Sequence, residues 1–159
     1  MKKKTIRAAL SASLVLAACG GGSPATAPSA VSVIRSTTSF GFCVGYCRST
    51  LEVSGERATY RLVDPRAALP DVERTVTVAA AEWDALRSAV DRSRIESLPG
   101  VIGCPDCADG GAESLEVVAD DWSRSITFEY QAAVPSIQPL LDRVRALRER
   151  LDREVRPAP

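Results

Sequence analysis

Apolar and polar positions alternate along much of this chain. Val31 and Val33, followed by a Ser/Thr run as far as Phe40, suit a strand. Leu51 and Val53 alternate with polar neighbours, as in a half-buried strand. Ser54-Gly55-Glu56 predicts a tight turn in which Gly55 takes a positive φ. Ala58, Tyr60 and Leu62 then share one face of a second strand. Asp64 to Asp71 holds two prolines and reads as a loop, and Val76 and Val78 mark a further short strand. From Ala79 to about Arg94 the period changes. Trp83, Leu86 and Val90 fall at i, i+3 and i+7 among alanines, which predicts a helix ended by Pro99-Gly100. Leu115 and Val117 form another strand, Asp120 to Ser123 a turn, and Ile126, Phe128 and Tyr130 one face of the next strand. Ser136 can cap a closing helix that tolerates Pro139 in its first turn. Ile137, Leu140, Leu141, Val144, Leu147 and Leu151 give that helix one apolar stripe. Asp142, Arg143, Arg145, Arg148, Glu149 and Arg150 read as its solvated face. The order strands, helix, strands, helix predicts an α+β domain over residues 31–155. It would be an antiparallel sheet with two helices packed on one face.

The first 18 residues read differently. Met1 to Arg7 is basic, and Ala8 to Leu16 is an apolar stretch too short for the ~20 residues of a spanning helix. This is the pattern of a secretion signal. Leu16-Ala17-Ala18-Cys19 resembles the lipobox of bacterial lipoproteins. The resemblance implies cleavage before Cys19 and acylation of Cys19, with enough acyl chains for stable anchoring. By the same resemblance, Gly20 rather than Asp after the cysteine implies sorting to the outer membrane of a Gram-negative cell, facing the periplasm. Residues 19–30, rich in Gly, Ser, Pro and Ala, read as the lipidated cysteine and a flexible tether.

Cleavage changes the charge balance. The signal carries all three lysines and Arg7 but no acid, so 16 arginines remain against 20 acids, a net charge of −4. Nucleic acid is therefore not expected as a partner. The chain has no histidine and no lysine beyond position 4. This excludes Ser-His-Asp and Cys-His catalysis, lysine Schiff bases and histidine metal sites. Chemistry would have to come from Asp, Glu, Cys, Tyr, Ser or Arg. The chain reads as a non-enzymatic binding or structural module without a cofactor. Its expected partners are the membrane, through the anchor, and an envelope protein or cell-wall component.

Four cysteines remain beyond Cys19: Cys43, Cys47, Cys104 and Cys107. An oxidising compartment favours two disulfides, with three connectivities open. Local pairing is favoured because close cysteines bridge without requiring the two loops to meet. Cys-x3-Cys and Cys-x2-Cys also fit a four-cysteine zinc site. Cys104-Pro105-Asp106-Cys107 has the form of a thiol–disulfide oxidoreductase motif, but no helix follows to activate the thiol. Asp106, Asp109 and Glu113 could serve calcium or acid–base chemistry. Beside Gly110 and Gly111 they read more simply as turn residues.

Phe40-Gly41-Phe42-Cys43-Val44-Gly45-Tyr46-Cys47, then Leu51-Glu52-Val53, and the later two-helix arrangement are similar to a family of small bacterial lipoproteins known only as a domain of unknown function. The resemblance spans Val31 to Asp152. It implies no activity and no catalytic residues.

Overall fold

In the computed structural model, residues 30–156 are described. The segment read as a signal peptide, the lipidation site Cys19 and nearly all of the tether lie outside them. Strand β1 (Val31–Ser39) is followed by β2 (Arg48–Ser54), β3 (Arg57–Val63) and β4 (Val72–Thr77). Helices α1 (Ala80–Ser88) and α2 (Arg92–Ser97) come next, then the short β5 (Val101–Ile102). Strands β6 (Ala112–Ala119) and β7 (Ser123–Glu129) lead into the long helix α3 (Gln138–Val155). Among the described residues no helix is long and apolar enough to cross a membrane.

The strands form one sheet in the order β4-β3-β2-β1-β6-β7-β5. Register follows the period-two pattern. Leu51 lies opposite Ser36 and Tyr60, and Leu115 opposite Ser36 and Ile126, so the apolar positions share one face. The β2–β3 hairpin turns on Gly55 at φ 59°, as its sequence predicts. Asp64 closes the β3–β4 loop by accepting hydrogen bonds from the backbone N–H groups of Arg66, Ala68 and Leu69. On the inner face Ile34, Leu51, Tyr60, Leu62, Leu115 and Phe128 join Leu86 of α1, Ile95 of α2 and the leucine stripe of α3 in one core. The outer face is polar. There Arg35 bridges Glu52 and Glu116 across three strands.

The expected fold needs correction. The sheet is mixed rather than antiparallel, because Val101 and Ile102 pair in parallel with Thr127 and Phe128. The chain leaves edge strand β4, crosses the inner face through the helices and returns at the opposite edge, which makes a parallel pairing possible. The helical segment from Ala79 is two helices, so there are three α-helices, and the order is four strands, two helices, one short strand, two strands and a helix. The break falls at Val90-Asp91, where Asp91 leaves helical geometry and caps α2 by accepting from the Arg94 N–H at 3.2 Å. Two smaller differences concern α3 and β7. Ser136 sits in a 3-10 turn (Pro135–Ile137) before α3 and makes no side-chain cap, and Tyr130 lies just beyond β7.

Candidate functional site

The solvated face expected for α3 is only partly solvated. Arg148 stands four residues after Val144 and three before Leu151, in line with the apolar stripe, and is buried. Glu113 stands two residues before Leu115, on the inner face of β6, and is 1% exposed. The two meet: Arg148 Nη1 lies 2.7 Å from Glu113 Oε1 and also donates to Ser36 Oγ at 2.9 Å. Arg145 grips the other carboxylate oxygen through Nη2 at 2.8 Å and donates to the Ala132 carbonyl. Its guanidinium lies 5.9 Å from the centre of the Phe128 ring. The backbone N–H of Gln131 completes the shell of Glu113 at 3.4 Å. Thus Glu113 is no turn residue; it anchors α3 to the sheet.

Beyond this anchor a cavity of about 260 Å3 opens between the C-terminal half of α3 and the β1–β2 end of the sheet. All three tyrosines of the chain line it. Tyr60, from the middle of β3, donates to Asp152 Oδ1 at 2.7 Å. Asp152 is also held by Arg156, through Nε at 3.0 Å and Nη2 at 2.9 Å. Burial raises the Tyr60 phenol well above its ordinary pKa, and the Asp152 carboxylate beside it adds to the rise. For Asp152 burial acts upward, but hydrogen bonds from Arg156 and Tyr60 and the charges of Arg156 and Arg148 outweigh it. Its carboxyl titrates below the usual value. Thr38 and Ser49, facing each other across β1 and β2, supply a buried hydroxyl pair 2.7 Å apart.

The loop between β1 and β2 forms one wall. Cys43 is bonded to Cys47, and the Phe40 N–H donates to the Cys47 carbonyl at 3.0 Å. Phe40 packs edge-on against Tyr130, with centroids 4.9 Å apart. The side chains of Phe42 and Val44 stand exposed at the loop tip, 79% and 89% accessible. Gly111 makes room for Phe40: a Cβ there would come within 2.4 Å of the ring.

The second cysteine pair is also local, Cys104 to Cys107. Its loop docks on the first, because Asp106 Oδ1 accepts from the Gly41 N–H at 3.2 Å. The Cys104 N–H donates to Glu129 at 3.0 Å. Asp106 and Asp109 do take turn conformations, both with positive φ. Each cysteine sulfur is engaged with its near neighbour, so the four are not gathered as one ligand set. Among the described residues no group of three or more His, Cys, Asp or Glu is placed to hold a metal ion. A 3-10 turn, Cys107–Asp109, follows Cys104 where an oxidoreductase motif would place a helix.

Sequence reasoning finds the cysteine loops but misses the cavity. Its signals are present: Glu113 in phase with Leu115 and Val117, and Arg148 in phase with the α3 stripe. The chain matches no protein-family model and no curated protein sequence.

Proposed function

We propose that this chain is a lipid-anchored extracytoplasmic protein of the bacterial envelope, and that its domain is a non-enzymatic binding module. The observation that carries the reading is the pair of local disulfides, Cys43–Cys47 and Cys104–Cys107, in loops at the surface of a small domain. Such bridges persist in oxidising compartments. They agree with the secretion pattern of residues 1–18 and the lipobox-like Leu16-Ala17-Ala18-Cys19. The binding role is supported by the aromatic and arginine-lined cavity. Its Asp152 carboxylate is tied to Arg156 and Tyr60 rather than poised as a base. The chain also has no histidine for acid–base work near neutral pH.

The test is metabolic labelling of the full chain with an alkyne fatty acid in a Gram-negative host, followed by membrane fractionation. The wild type is expected to carry label and to sediment with the outer membrane, and Cys19→Ser to lose both. An unlabelled wild-type chain would sink the reading.

A further inference from the structure

Arg148 holds an unusual position. It is 4% exposed, lies on the cavity wall and is only partly engaged. Both of its hydrogen bonds run from Nη1, to Ser36 and Glu113. Nε and Nη2 have no hydrogen-bond partner among the described residues. They are not sealed in the apolar core either, since the one fully buried side-chain polar atom left without a partner among those residues is Arg124 Nε. The Nε–Nη2 edge of a guanidinium is the fork that binds a carboxylate through two parallel hydrogen bonds.

Charge points the same way. Glu113 is shared between Arg145 and Arg148, so one buried carboxylate faces two guanidiniums. Asp152 is matched by Arg156. The set carries one positive charge in excess, and a buried charge without a counterion is costly. On the rim, exposed Arg153 and Glu149 carry opposite charges, so the excess stays at one positive charge, held by the buried guanidiniums. Among the other walls, the rings of Tyr46, Tyr130 and Phe40 suit an apolar body rather than a hydrated inorganic ion. At about 260 Å3 the space fits a small molecule or the end of a chain.

We propose that this cavity binds a carboxylate-bearing ligand with a short apolar body, its carboxylate seated on the Nε–Nη2 edge of Arg148 with the Thr38 and Ser49 hydroxyls beside it. The inference rests on the reading of the domain as a binding module and names its ligand class. Free small carboxylates and the C-terminus of a peptide share this chemistry.

The experiment is titration calorimetry on the full chain in detergent, with N-acetyl-alanyl-alanine, its C-terminal amide, and benzoate. The acid is expected to bind about tenfold or more tightly than the amide, since a charge-assisted contact is lost. Binding of benzoate as well identifies small carboxylates as sufficient, and binding of the peptide acid alone identifies a chain terminus. Arg148→Lys keeps the charge beside Glu113 but lacks the fork, and is expected to lose about tenfold in affinity. Should that variant unfold, Thr38→Val on the facing wall supplies the readout, with weaker binding at unchanged fold. Equal affinity for acid and amide, no binding of either carboxylate, or undiminished binding by a folded Arg148→Lys variant overturns the proposal. These outcomes are independent of the fatty-acid labelling result, so either reading can fail alone.

Discussion

Arg148 of α3 reaches Glu113 of β6 across 35 positions of sequence, with Nη1 2.7 Å from Oε1 and both side chains buried. The contact ties the last helix to the middle of the sheet. Removing the carboxylate leaves two guanidiniums without their counterion, and breaking a buried pair from one side typically costs about 3 to 5 kcal/mol. Glu113→Gln is therefore expected to lower unfolding free energy by about that much in urea titration. Arg148→Met should cost less, because Glu113 keeps Arg145 at 2.8 Å. A negligible loss from Glu113→Gln would show that the pair does not anchor α3.

The strands are legible in the sequence wherever one face is buried and the other wet. Leu51/Val53, Ala58/Tyr60/Leu62, Leu115/Val117 and Ile126/Phe128 all sit on the inner face. Strand β5 is not legible, because two residues after Pro99-Gly100 have no periodicity and their partner is remote. The break between α1 and α2 is hidden by alanines that favour helix before it, although Asp91 is a residue type that caps. Glu113 and Arg148 mislead because a charged residue in an apolar phase looks like an interruption until its partner, far along the chain, is known. Tyr60 carries no signal of its own, since a tyrosine on a strand is an ordinary core residue until a hydroxyl partner such as Asp152 appears.

The Tyr60–Asp152–Arg156 link gives stability a pH dependence at both ends. Asp152 has a folded pKa below its ordinary value of 3.8. Between the two values the unfolded chain binds the proton first, so the contribution of Asp152 is complete above the ordinary value and is lost as pH falls through the folded one. Tyr60 is an acid with a folded pKa above its ordinary value of 10.0, because burial favours the neutral phenol. Its contribution is complete below that ordinary value and is lost as pH rises beyond it. The stability gap between wild type and Asp152→Asn should therefore shrink as urea titrations move from neutral pH to below the ordinary carboxylate range. A gap unchanged in acid would remove Asp152 from the account.

The two disulfides should differ in accessibility. Cys47 is 3% exposed, whereas Cys104 and Cys107 both stand exposed. Thiol–disulfide exchange needs an approach to sulfur. Limited reduction of the folded chain, followed by alkylation and peptide mapping, should label Cys104 and Cys107 before Cys43 and Cys47. Replacing Cys43 and Cys47 together by serine should cost about 2 kcal/mol, the chain-entropy value for so short a loop. Labelling of all four at one rate would contradict the difference in burial.

Gly111 couples the second cysteine loop to the cavity. It has φ 82°, where an L side chain is strained, and its Cα faces the Phe40 ring so closely that a Cβ would approach to 2.4 Å. Gly111→Ala must therefore bend the backbone or displace Phe40. Phe40 holds Tyr130 edge-on on the cavity wall, so the displacement would reach the binding space. The expected result is a loss of about 1 to 3 kcal/mol in stability, from strain and overpacking together. Carboxylate affinity should fall as well, although position 111 is not on the wall. Gly55→Ala is the matched control. Gly55 also has positive φ, at 59°, but a Cβ added there would meet nothing within 4 Å. That variant should lose stability by backbone strain alone and bind like wild type. If Gly111→Ala and Gly55→Ala bind the ligand equally well, the coupling of Gly111 through Phe40 to the cavity is wrong.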